Sequence, residues 1–112
     1  VRERAEYRLR YPLLAQPAVR LRLGEREIAG RIEDLSESGA LCSAPPGHGV
    51  APGDRLSGQI ALAQRRSFEF AGQCLRVRHG QIAIGFDSRC RVPLAVMFTE
   101  QRSVRARFPD WR

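Results

Sequence analysis

AVRLRLGEREIAGRIEDLSESGALCS, residues 18–43, is the stretch on which the architecture turns. Val19, Leu21 and Leu23 alternate with Arg20 and Arg22, the period of two that gives a strand one apolar and one wet face. Gly24-Glu25 is a tight turn, and Glu27–Leu35 follows as a second strand with Ile28 and Ile32 on one face. Asp34-Leu-Ser36-Glu-Ser-Gly39 leaves that strand, and Gly39–Ser43 is a brief third one.

The pattern continues outward in both directions. Residues 44–53 hold three prolines and three glycines and read as loop. Asp54–Ala63 and Ser67–Arg78 are the fourth and fifth strands. His79-Gly80 turns the chain into Gln81–Asp87, where Ile82, Ile84 and Phe86 share a side. Six short strands joined by tight turns predict an antiparallel β-barrel, since closure removes exposed edges. Beyond Pro93, Leu94, Met97, Phe98, Gln101, Val104 and Phe108 recur at three and four residues, a C-terminal amphipathic α-helix that Pro109 stops. The fold class is thus mainly β: a six-stranded antiparallel barrel over residues 13–92, with the helix and tail at 93–112. Val1–Arg10 lacks an apolar period, and residues 1–12 read as a flexible, exposed arm.

The 112 residues suffice for one core, and the net charge is +7 with all 19 basic residues Arg. The charge suits an anionic partner, because the guanidinium fork fits phosphates and guanine edges. The absence of Lys has a second explanation in the coding bias of a GC-rich genome, which does not account for where the arginines cluster. No apolar run reaches the ~20 residues of a membrane span. Cys42, Cys74 and Cys90 are odd in number and unpatterned, which predicts free thiols, a reducing cytoplasm and no metal site. His48 and His79 sit in turns without a nucleophile or carboxylate nearby, and no catalytic motif is present. The expectation is a binding module without enzyme activity or cofactor.

Two elements remain. Arg4-Ala-Glu-Tyr-Arg8 places two arginines four apart on the arm. Asp34-x-Ser36-x-x-Gly39 follows a strand; by itself it is equally the pattern of a plain turn, with Gly39 at positive φ. In this order and on this scaffold, they resemble the PilZ domain family, which has an Arg-x-x-x-Arg arm and then Asp/Asn-x-Ser-x-x-Gly at the exit of the second strand. Gln81-Ile-Ala-Ile-Gly85-Phe86 is similar to the family's closing strand. The resemblance covers essentially the whole chain. It implies a cyclic di-GMP receptor that binds one molecule or a stacked pair, at Arg4, Arg8, Asp34, Ser36 and Gly39, with Arg2, Arg10 and Ser38 as further contacts.

The chemistry agrees with that implication. An Arg fork meets guanine O6 and N7 with two hydrogen bonds. Asp34 can accept from the guanine N1–H and exocyclic amine, Ser36 can donate its hydroxyl, and Gly39 allows close backbone approach. Two departures stand out. Glu3 occupies a place where many members carry a further Arg, and Ser38 one where many carry a second Gly. The expected mechanism is an arm that orders on ligand binding and changes the surface offered to a protein partner. The alternatives are a ligand-independent protein adaptor and a nucleic-acid-binding barrel. Nucleic acid is the weaker expectation, because aromatics are only 7% and Phe68, Phe70 and Phe86 fall at core positions.

Overall fold

The computed structural model describes residues 7–111. Strands β2 (Ala18–Leu23), β3 (Arg26–Ser36), β4 (Gly39–Ser43), β5 (Arg55–Ala61), β6 (Ser67–Arg78) and β7 (Gln81–Phe86) pair antiparallel in the order β3-β2-β5-β6-β7-β4. Pairing of β4 back onto β3 closes the six-stranded barrel. A seventh strand, β1 (Arg8–Arg10), pairs with the far end of β3, and helix α1 spans Leu94–Arg107.

The alternation read from the sequence places the core. Val19, Leu21, Ile28, Ile32, Ile60, Ile82 and Ile84 point inward and are buried, as are Phe70 and Phe86. The thiols of Cys42 and Cys74 lie among them, and all three cysteines are free. His79 and Gly80 both take positive φ, the primed turn whose twist matches that of the flanking strands β6 and β7.

Two β-bulges break the alternation, and they shape the outer surface. In β3, Ile32 pairs with Cys42 but Asp34 pairs with Leu41, leaving Glu33 as the extra residue. The slip returns Leu35 to the interior and turns Asp34 and Ser36 to the other face of β3. In β6, Cys74 pairs with Ile84 and Arg76 with Ala83, so Leu75 is extra and stands 61% exposed.

Three expectations need correction. The arm was to be exposed through Arg10, but Arg8–Arg10 is a strand and Leu9 and Tyr11 are buried. Leu9 sits opposite Leu35 in the ladder, and together with buried Tyr11 it anchors the segment in the core. Residues 1–6, including Arg2 and Arg4, lie outside the described residues. Gly39 is not at positive φ. Its lack of a side chain serves packing, because a Cβ there would meet the Ile84 carbonyl oxygen at 2.4 Å. The inward stripe of α1 is Met97, Glu100 and Val104, whereas Phe98 is 42% exposed and Leu94, Gln101 and Phe108 are half-buried. A carboxylate displaces an apolar residue there because donors await it: Tyr11 Oη donates to Glu100 Oε1 (2.9 Å) and the Ala63 amide to Oε2 (2.8 Å).

Candidate functional site

The register brings the expected residues onto one face. Arg8 lies opposite Ser36 and Arg10 opposite Asp34 in the β1–β3 ladder, so all four share the face opposite to Leu9 and Leu35. Gly39 begins β4 directly beyond the two-residue turn Glu37-Ser38. Arg8, Asp34, Ser36, Ser38 and Gly39 line one shallow cavity of about 250 Å³. Its remaining wall is Ala40 and Leu41 of β4, Leu75 and Arg76 of β6, and Ala83–Gly85 of β7.

Asp34 is the least satisfied group in this cavity. Its Oδ2 is 3.8 Å from an Arg8 guanidinium nitrogen, beyond hydrogen-bonding distance. Its Oδ1 is buried and has no hydrogen-bond partner among the described residues. Burial pushes the carboxyl above the usual aspartate value; the charges of Arg8 and Arg10 oppose that shift and Glu33 adds to it. Such a buried acceptor is costly when empty, and a donor brought by a ligand would relieve it.

Ser36 is buried, and its hydroxyl donates to the Gly39 carbonyl at 3.2 Å, closing the turn. Donation to a ligand requires that hydroxyl to rotate away. Arg10 is drawn aside: its guanidinium lies 4.8 Å from the Trp111 ring centre, and its carbonyl accepts from the indole N–H at 2.6 Å. Arg8, by contrast, has a 71% exposed side chain able to swing over the cavity.

Leu75, Arg76 and Gly85 went unread as site residues. The β6 bulge puts Leu75 and Arg76 on this wall, and the missing side chain of Gly85 makes room for Leu75, whose methyls would stand 3.2–3.3 Å from a Cβ there. Glu37 was likewise missed. It is buried beneath the turn, accepts from the Tyr7 amide at 3.2 Å and faces Arg91 at 3.6 Å, fastening β1 to the segment before α1. No group of His, Cys, Asp and Glu among the described residues could hold a metal ion. No helix there is long and apolar enough to cross a membrane.

Solved structures share this architecture. The chain is similar to the PilZ domain of YcgR from Escherichia coli with c-di-GMP, at 17% identity and TM-score 0.75, covering 98% of this chain and 100% of that one. It is also similar to the inhibitor of motility MotI/DgrA from Bacillus subtilis, at 16% identity and TM-score 0.70, covering 100% of this chain and 55% of that one. The PilZ domain of CeSA from a cellulose-synthesizing bacterium follows at 18% identity and TM-score 0.60, covering 88% of this chain and 94% of that one. Among curated protein sequences there is no significant match. At such identities the structural likeness speaks for the fold alone. The sequence itself matches the family pattern of the PilZ domain over residues 2–107. With the arm strand, the Asp34–Gly39 turn and the closed barrel all in place, the chain belongs to the PilZ domain family.

Proposed function

We propose that this face is a receptor site for cyclic di-GMP and that the chain is a binding module rather than an enzyme. The observation that carries the reading is Asp34 Oδ1, a buried acceptor without a partner among the described residues, in a cavity walled by Arg8 and Arg76. A guanine supplies N–H donors on the edge that such a carboxylate reads; adenine presents an acceptor in place of the N1–H. Arg8 is placed to pair with a phosphate or with guanine O6 and N7. Family membership and the YcgR domain's structure with c-di-GMP support the same ligand. Arg4 joins the reading from sequence as the second arm cation, with Arg2 and Ser38 as outer contacts, whereas Arg10 serves by holding the arm to Trp111.

The output follows from how the arm is fastened. Strand β1 is three residues long, and its neighbours Tyr7 and Tyr11 touch α1 through Phe98 (ring centres 5.2 Å apart) and Glu100. Engagement of Arg4 and Arg8 by ligand fixes the arm against the site and shifts these contacts, altering the surface offered to a protein partner.

Isothermal titration of cyclic di-GMP into the wild type, Asp34→Ala and Arg4→Ala/Arg8→Ala, with cyclic di-AMP as control, tests the site. Micromolar or tighter binding is expected, weakened about 5- to 150-fold by each change, with the fitted ratio distinguishing one molecule from a stacked pair. Wild-type binding that Asp34→Ala leaves intact would remove Asp34 from the site. No binding by the wild type would leave the chain a ligand-independent adaptor.

A further inference from the structure

A second and larger concavity lies on another side of the barrel and shares no residue with the first. It is a trough of about 750 Å³, open to solvent, on the outer face of β2, β3 and β5, reaching Ser43 of β4 and Ser67 of β6. The register explains its shape. Ala18 faces Arg31, and Arg20 is flanked by Ala29 and Gln59, so small side chains form the floor between arginines. Arg65 and Arg66, from the β5–β6 turn, complete a wall of four cations, and no Asp or Glu lines the trough.

These charges are poorly neutralised. Arg20 is 3.7 Å from Glu27, and both are well exposed, so water screens the pair. Among the described residues, the Arg31 side chain donates one long bond, 3.4 Å, to the Gln16 carbonyl. Arg65 and Arg66 have no side-chain hydrogen bond or ion pair among the described residues. The turn that presents them is tied by hydrogen bonds at its base. Gln64 and Arg65 hold φ of 62° and 60°, a left-handed pair usually left to Gly or Asn. The Leu62 amide bonds the Arg66 carbonyl, and Glu100 grips the Ala63 amide.

Two exposed leucines stand across a neighbouring depression from this wall. Leu13 and Leu14 are 79% and 80% exposed on the 3₁₀ turn Leu13–Ala15. Leu14 and Gln64 border a neighbouring depression, whose wall shares Ala61 and Leu62 with the trough.

We infer that the trough and these two leucines together are a docking surface for an acidic, leucine-bearing segment of a partner protein. Four arginines without a lining carboxylate call for anions, and guanidinium meets carboxylate with two bonds. An open trough would leave a small ligand largely in water, whereas an extended chain can lie along it. No aromatic residue lines it to stack a nucleobase. A flat bilayer surface does not enter a concavity. The exposed leucines give the partner's apolar side chains a place to pack.

The test uses a fluorescein-labelled decapeptide of alternating Glu and Leu, with its Gln-for-Glu counterpart, read by fluorescence anisotropy on the whole chain. Saturable binding of the Glu peptide is expected, weakened roughly tenfold by Arg65→Glu/Arg66→Glu and severalfold by Leu13→Ser/Leu14→Ser. The charge-matched Arg102→Glu/Arg105→Glu on α1 should leave it unchanged. Melting curves confirm that each variant folds, and the cyclic di-GMP affinity of the trough variants should stay at the wild-type value. That titration therefore fails or succeeds separately from the docking test. Four results overturn the inference: no peptide binding, equal binding of the Gln peptide, equal loss in the Arg102/Arg105 variant, or tighter binding to phosphatidylserine vesicles that needs the same arginines.

Discussion

Tyr11→Phe should cost this barrel about 1.5–3 kcal/mol, the net worth of a hydrogen bond to a charged group in a buried place. Tyr11 and Glu100 are each only 4% exposed, and the hydroxyl donates to Glu100 Oε1 at 2.9 Å. The other oxygen is already taken by the Ala63 amide, so loss of the hydroxyl leaves Oε1 stranded. The phenyl ring keeps the packing, which separates the bond from a cavity effect. With an unfolding entropy of about 2.1 cal/mol/K per residue over 112 residues, the melting temperature should fall by roughly 6–13 °C. The pH dependence supplies a second readout. Burial first, then the Glu100 charge and bond, hold the Tyr11 hydroxyl far above the usual tyrosine range. The unfolded chain sheds this proton at about pH 10 while the folded chain keeps it. This contribution is therefore fully present below pH ~10 and is lost as pH rises beyond it. Urea unfolding at pH 8 and above pH 10 should show that alkaline slope in the wild type, and a shallower one in Tyr11→Phe. A loss below ~0.5 kcal/mol at pH 8, or identical slopes, would show that the bond does not fasten the arm to the helix.

Other consequences are as direct. Asp34 is raised by burial, so in the free protein its contribution to stability falls as pH climbs through the acid range; a guanine donor favours the ionised form, and binding should release a proton there. Calorimetry of cyclic di-GMP binding in buffers of different ionisation enthalpy should detect that proton in the wild type and not in Asp34→Asn. Gly39→Ala should destabilise by on the order of 2 kcal/mol or more in urea unfolding, because its Cβ would strike β7 backbone at 2.4 Å. Gly85→Ala meets only the tip of Leu75 and should instead be read in ligand affinity, with little change in stability. Cys90, which is half-buried, should react with Ellman's reagent in the native state; Cys42, whose thiol burial pushes up to about 12, should react only on unfolding.

Much of this protein follows from local rules that a single sequence displays. Alternation in Ala18–Leu23 and Gln81–Phe86, and the turn residues at Gly24 and His79-Gly80, mark strands because period and turn chemistry are properties of neighbours along the chain. The Asp34-x-Ser36-x-x-Gly39 pattern and the arm arginines were legible for the same reason. The extra residues Glu33 and Leu75 were not, since a bulge exists only relative to the strand opposite. Those two slips decide that Asp34 and Ser36 share a face with Arg8, and that Leu75 and Arg76 wall the same cavity. Burial of Glu100 was equally out of reach: its partners Tyr11 and Ala63 lie 89 and 37 residues away along the chain. The trough formed by Arg20, Arg31, Arg65 and Arg66 likewise draws its walls from three separate segments. Sequence alone determined the six barrel strands, their closure and the polar motif at the site, but not strand β1 or the β6 wall. Tertiary structure decided which side chains meet, because register across strands and the seating of a helix are set by the whole chain packing on itself.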